Sequence, residues 1–130
     1  MMKYELTTET MTTSDGATLY RIKALMDFAD VKAGDIGGWI EKEANLSHEG
    51  KAWVYGKAKV CGNAVVCGNA WVCGNAVVCD NAVVCDNAVV CGNAVVCGNA
   101  LVYGNARVCG NAVVCDNAVV YGNAWVCGNS

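Results

Sequence analysis

The sequence predicts an all-β protein whose main part is a parallel β-helix of about five triangular coils. Three observations predict it. Val recurs at every sixth residue from Val54 to Val126 without a miss, and Ala stands two residues before each of these, from Ala52 to Ala124. Gly-Asn or Asp-Asn follows, so that Asn lies three residues after the Val in every unit from Asn63 to Asn129.

Each part of the unit has a structural reason. A period of six is not a multiple of 3.6, and a helix with Gly in every unit would lose about 1 kcal/mol at each one, which excludes helix. Ala-x-Val-Cys alternates with period 2 and is β-branched, so it forms a short strand with Ala and Val on one face. Gly-Asn then turns the chain, because Gly tolerates positive φ and Asn is the next most willing residue. Three strand-corner units close a triangular coil of about 18 residues.

The register extends upstream. Ile40 and Leu46 fit the Val position, with Gly38 and Ala44 at the small inward site, but Leu46 and Val54 are separated by eight, so two extra residues bulge near His48 and Glu49. At about 4.8 Å per rung the five coils make a rod about 24 Å long. Before it, residues 3–10 and 18–25 read as two strands joined through Ser14, Asp15 and Gly16, an N-terminal β-hairpin expected to cap the first coil. The division is residues 1–36 for hairpin and cap and 37–130 for the β-helix.

The hexapeptide spacing and its small and aliphatic inward residues resemble the left-handed hexapeptide β-helix of bacterial acyltransferases. The left hand is implied by that resemblance, since the crossover rule alone favours the opposite one. Residues 26–60 are similar to the N-terminal part of uncharacterised hexapeptide-repeat proteins of bacteria and their phages. Asp27, Phe28, Val31, Gly34, Gly37, Gly38, Trp39, Leu46, Ser47 and Gly50 carry that similarity. The resemblance implies a fold and names no activity.

Charge narrows the partners. The net formal charge is -3, with 9 basic and 12 acidic side chains, which gives no basic footprint for nucleic acid and no cationic amphipathic stretch for a membrane. No signal-peptide core and no long apolar run occur, so a cytoplasmic location is expected. Past Lys59 the only charged residues are Asp80, Asp86, Arg107 and Asp116.

Candidate chemistry is sparse. An acyltransferase needs a general base, and the single His, His48, sits at the irregular corner without the long loops that build such sites; it reads as a solvated turn residue, and no catalytic residue is assigned. The 10 cysteines stack on successive coils, outside the core. Their columns are Cys61, Cys79, Cys97 and Cys115; Cys67 and Cys85, continued by Tyr103 and Tyr121; and Cys73, Cys91, Cys109 and Cys127. A rung spacing of about 4.8 Å exceeds the roughly 3.8 Å between Cβ atoms of a disulfide, so free thiols are expected. A thiol ladder holding soft metal is the alternative reading, disfavoured by the lack of close Cys pairs and by the exchange of Cys for Tyr, so no metal or cofactor is assigned. Asp80, Asp86 and Asp116 replace corner Gly and cannot meet on one ion. An ice-binding array would show Thr ladders, and no Thr follows Thr18.

The outward residue before each core Val sorts by face. The first face carries Lys59, Val77, Val95 and Val113; the second carries Val65, Val83, Leu101 and Val119 beside Tyr103 and Tyr121; the third carries Trp53, Trp71, Val89, Arg107 and Trp125. Faces this apolar exceed what a monomer usually exposes, so a homo-oligomer is expected, packed through the first two faces. The final unit, Asn129 and Ser130, adds an expected unpaired edge. The reading is a non-enzymatic, self-associating structural or binding scaffold. A third reading is a phage-borne protein that binds and blocks a host component, with an unknown protein target.

Overall fold

The computed structural model describes residues 2–128, and they form a left-handed parallel β-helix of five coils with an N-terminal hairpin. Strand β1 (Tyr4–Thr12) pairs antiparallel with β2 (Thr18–Ala24), and β2 pairs antiparallel with β3 (Ile36–Ile40). Gly16, at φ 92°, and the Thr13 N–H to Ala17 O bond of 2.8 Å close the hairpin at the expected turn. The third strand is also the first rung of the helix, because Trp39 pairs in parallel with Lys59 and Ile40 with Val60. Hairpin and coils therefore share one 7-stranded sheet. The expectation placed on Asn129 and Ser130 lies outside the described residues.

Beyond β3 each unit contributes one short strand, and the strands stack into the three faces read from the sequence. The first face stacks Lys59–Val60, Val77–Val78, Val95–Val96 and Val113–Val114 on β3. The second stacks Val65–Val66, Val83–Val84, Leu101–Val102 and Val119–Val120 above a bridge from Leu46. The third runs from Trp53–Val54 to Trp125–Gly128. The N–H groups on either side of each core Val donate to the coil above, as Val65 does to Ala82 O at 3.0 Å and Cys67 to Val84 O at 2.9 Å. Val54 through Val108 and Ala52 through Ala106 are 0–1% exposed. The core is thus one Val and one Ala per face and rung, and the alternation that predicted it is what fills it.

The two extra residues fall where expected. Trp53 pairs with Trp71, eighteen residues on, while Leu46 pairs with Val66, twenty residues on. Ser47 to Gly50 absorb the difference. One inward assignment is wrong: Ala44 is exposed, and Asn45, at the end of a 3₁₀ turn over Glu43–Asn45, is fully buried. Its Oδ1 accepts from the N–H groups of Glu41 and Lys42, at 3.0 and 2.8 Å, and its Nδ2 donates to Ala64 O and Gly62 O, at 2.8 and 3.2 Å. The amide bridges backbone groups of two successive coils at this corner, which an Ala methyl could not do.

The cap is built from individual contacts. Tyr4, Leu19, Ile22 and Ala24 are buried, and the Tyr4 hydroxyl is shared between Leu46 O at 2.6 Å and Glu43 O at 3.0 Å. Lys3 is also buried, and its Nζ donates to Ala52 O at 2.6 Å while lying 4.8 Å from the Phe28 ring centre. Burial lowers its pKa to about 8. A Cβ on Gly37 would come within 2.8 Å of Trp53, Val54 and Ile22, so only glycine admits the approach of β3 to the third face.

Candidate functional site

The outer faces differ more than their sequences suggest. On the first, the hairpin tip folds over the lower rungs and encloses a cleft of about 740 Å³. Met11, Ala17, Val77 and the Cys61 and Cys79 side chains make its apolar lining, with Lys59, Asp15 and Asp80 at the polar margin. Val77 is therefore cleft floor. Val95 and Val113 lie higher on this face, Val113 being 60% exposed.

The second face carries no charged side chain among its outward strand positions. Val65, Val83 and Leu101 are half-buried against their rung neighbours, Val119 is exposed, and Cys67 and Cys85 lie beside them. Tyr103 and Tyr121 continue the column as stacked rings 5.6 Å apart at 14°. The nine residues expected to mediate association thus divide: Val65, Val83, Leu101, Val119, Tyr103 and Tyr121 form one contiguous surface, and Val77, Val95 and Val113 belong to the face the hairpin overhangs.

The third face is the most structured. Trp53, expected outside, is 1% exposed because Phe28 and Tyr4 cover it edge-on, at 5.2 and 6.1 Å. Tyr55 packs on Trp71 and donates to Asp30 at 2.8 Å, and burial with that carboxylate pushes its pKa up. Arg107 lies over Trp125 at 5.5 Å.

The thiols form the ladders read from the spacing, with one departure: Cys109 and Cys127 are joined as a disulfide. Their Cα atoms are 4.8 Å apart, inside the range a disulfide spans, so rung spacing does not exclude a bridge. Eight further cysteines are free and half-buried. Burial is the main cause that pushes Cys73 and Cys85 up to about 11 and Cys79 to about 12, and neighbouring thiols add to it. Such groups are protonated near neutrality and are poor nucleophiles there. Among the described residues no three His, Cys, Asp or Glu side chains gather as a metal site.

His48 is more engaged than a solvated turn residue. Its ring stacks on Tyr4 at 4.1 Å and 13°, Nδ1 accepts from the Lys3 N–H at 3.0 Å, and Nε2 lies 3.0 Å from Glu43 Oε1. With Nδ1 an acceptor, Nε2 carries the proton given to Glu43. Both nitrogens are used to hold the cap, and sequence reasoning could not see this because Lys3 and His48 lie far apart in the chain.

Against this geometry the relatives can be placed. The YdcK beta solenoid repeat matches residues 58–74, 94–110, 100–116 and 114–128. An uncharacterized acetyltransferase, YdcK, of Escherichia coli (strain K12) is 40% identical over 62 residues, which cover 42% of this chain and 19% of that protein. This is a hexapeptide-repeat β-helix protein. The chain spans well under two thirds of the relative it matches, so the similarity concerns the solenoid. Among the described residues no helix is long and apolar enough to cross a membrane.

The hexapeptide repeat also builds a feature its spacing did not announce. Corner Gly and Asp from Gly56 to Gly122 have positive φ, with Asp80, Asp86 and Asp116 at 59–62°, while among the described residues no corner Asn does. Asn instead stacks its amide: Asn63 donates to Asn81, Asn81 to Asn99 and Asn99 to Asn117, at 3.2–3.4 Å, and the other two corners carry parallel ladders. Lys42 Nζ starts the first ladder on Asn63 Oδ1 at 2.8 Å. The corner Asp residues also bond between coils, Asp80 Oδ2 accepting from Gly98 N–H at 3.0 Å and Asp86 Oδ2 from Gly104 N–H at 3.2 Å. The strict Asn period was the available signal, because a turn alone needs Asn less uniformly than a ladder does.

Proposed function

We propose that this protein is a non-enzymatic, self-associating scaffold whose assembly face is the second face of the β-helix. The observation that carries the reading is that this face alone offers Val65, Val83, Leu101 and Val119 with the stacked Tyr103 and Tyr121, free of charge and of the hairpin. Flat β faces pack about 10 Å apart, and a second copy offers the complementary surface through a two-fold axis. A face about 24 Å long gives several hundred Å² per partner, and at about 25 cal/mol per Å² the gross gain is about 10 kcal/mol. That matches the size of the association cost, so assembly depends on concentration. The non-enzymatic part is supported by His48, whose two ring nitrogens are engaged by Lys3 and Glu43.

Light scattering over a concentration series tests the proposal. The wild type is expected to grow beyond a monomer at micromolar concentration, and Val83→Lys, Leu101→Lys and Val119→Lys together to return it to a monomer with an unchanged β spectrum. Lys in place of Val95 and Val113 is expected to have the smaller effect. A wild type that stays monomeric, or a triple variant that assembles as before, overturns the reading.

A further inference from the structure

The thiol columns contain a pairing that neither the repeat family nor the relative assigns. Their occupancies are four, two and four cysteines, so each column can be divided into neighbours with none left over. In the third column Cys109 and Cys127 are bonded, which leaves Cys73 beside Cys91; Cys67 and Cys85 make up the second, and Cys61 with Cys79 and Cys97 with Cys115 are the division of the first that leaves no thiol over. Every pair follows the parallel register of the bonded one, one residue past stacked Val partners such as Val60 and Val78 or Val66 and Val84. The backbone confirms the repeat of geometry, with Cys61 N–H on Val78 O at 2.9 Å, Cys73 on Val90 O at 2.8 Å and Cys91 on Val108 O at 2.8 Å.

We propose that the ladders are a set of five vertical dithiol sites, Cys61/Cys79, Cys97/Cys115, Cys67/Cys85, Cys73/Cys91 and Cys109/Cys127, which small-molecule disulfides oxidise to staples between successive coils. The oxidant is an organic disulfide of the glutathione class. A thiolate of the pair attacks one oxidant sulfur and breaks its S–S bond, releasing one thiol and leaving a mixed disulfide. The rung neighbour then attacks the protein sulfur of that mixed disulfide and displaces the second thiol. Two protein thiols lose two electrons and two protons, and one oxidant disulfide becomes two thiols. The half-exposed sulfurs admit the oxidant, and the neighbour one rung away resolves the adduct before it accumulates. Because the attacking species is the thiolate, the reaction accelerates about tenfold per pH unit below the thiol pKa values.

Counting residual thiols tests the pairing without locating any bridge. Full-length protein is reduced, or incubated with oxidised glutathione at pH 9, then denatured, alkylated with N-ethylmaleimide and weighed intact. The reduced chain is expected to take up one label on each of its 10 cysteines. The oxidised chain is expected to take none, to carry no glutathione and to weigh about 10 Da less than the reduced chain before labelling. Cys73→Ser is expected to leave one unpaired sulfur, free or glutathionylated. Cys73→Ser with Cys91→Ser leaves none, whereas Cys73→Ser with Cys109→Ser leaves two, because Cys91 and Cys127 are two coils apart. On the second face Cys67→Ser with Cys85→Ser gives the same parity independently of the third. Wild-type product that is mainly glutathionylated or cross-linked between chains overturns the proposal, as does a double variant whose count ignores the pairing.

Discussion

Residues 2–52 and residues 53–128 share one core, yet the contacts that hold them are of opposite kinds. In the coils every interaction recurs a rung above and below: Val on Val, Asn amide on Asn amide, N–H on the carbonyl of the next coil. In the base each contact occurs once, such as Lys3 on Ala52 O, Tyr4 on Leu46 O, His48 on the Lys3 N–H and the four bonds of Asn45. A solenoid sums similar nearest-neighbour terms, so a lost surface contact is one among many. A lost contact in the base has no copy to replace it.

The comparison breaks most severely inside the coils, where redundancy gives no protection to the core. Val90 is 0% exposed between Val72 and Val108, and Val90→Asp places an unpaired charge there; a loss above about 4 kcal/mol and an unfolded rod are expected. Val89→Asp, one residue away and outward, is expected to stay within about 1 kcal/mol. Thermal melts by circular dichroism decide it, and equal damage from both would reverse the inward and outward assignment.

The second expected effect sets one amide against another. Asn45→Ala removes four hydrogen bonds in a buried site, leaving Lys42 N–H, Gly62 O and Ala64 O without that partner, and is expected to lower stability by about 3 kcal/mol. Asn81→Ala removes one member of an exposed ladder and is expected to lose about 1 kcal/mol or less. Urea midpoints that fall equally would mean that the base is no less redundant than the coils.

Alkaline pH acts on the two regions with opposite sign. The raised thiols of Cys73, Cys79 and Cys85 keep their protons longer folded than unfolded, so their contribution is complete below about pH 9 and is lost as pH rises through 11 to 12. Lys3 is lowered from 10.5 to about 8, so the unfolded chain holds that proton more tightly and the base gains stability between pH 8 and 10.5. Urea midpoints against pH are expected to fall more steeply above pH 9 in Lys3→Met than in the wild type, and the fall is expected to be smaller in the oxidised protein. A slope unchanged by Lys3→Met would show that burial of this amine does not govern the base.

The smallest effect is at the corners. Asp86→Gly keeps the positive φ that the corner requires and loses only the exposed bond to Gly104 N–H, so a loss of about 0.5 kcal/mol is expected in the same titration. A loss several times larger would make the corner bonds a principal term in coil stacking.

Legibility followed the same division. The inward Val and Ala, the triangular faces, the five rungs and the two-residue insertion before Val54 could all be read from spacing, because period 2 fixes which side chain enters the core and a period of six fixes where the chain turns. The rows of strands that make up each face were legible for the same reason. What could not be read was their coverage: the hairpin tip over Val77, and Phe28 and Tyr4 over Trp53, come from residues with no periodic relation to the rows they cover. Asn45 escaped because the six-residue register put Ala44 inward, while a 3₁₀ turn over Glu43–Asn45 stands where later units have the Gly-Asn corner and brings the amide inside.

The sequence by itself determined that short strands would stack into a triangular rod with one Val and one Ala per unit facing in, since repetition makes every rung impose the same register on the next. Only the tertiary structure decided which outer face stays open, that Cys109 and Cys127 are bonded, and how the first coil is closed. Those depend on single contacts between distant residues, and a contact that occurs once leaves no period in the sequence to find.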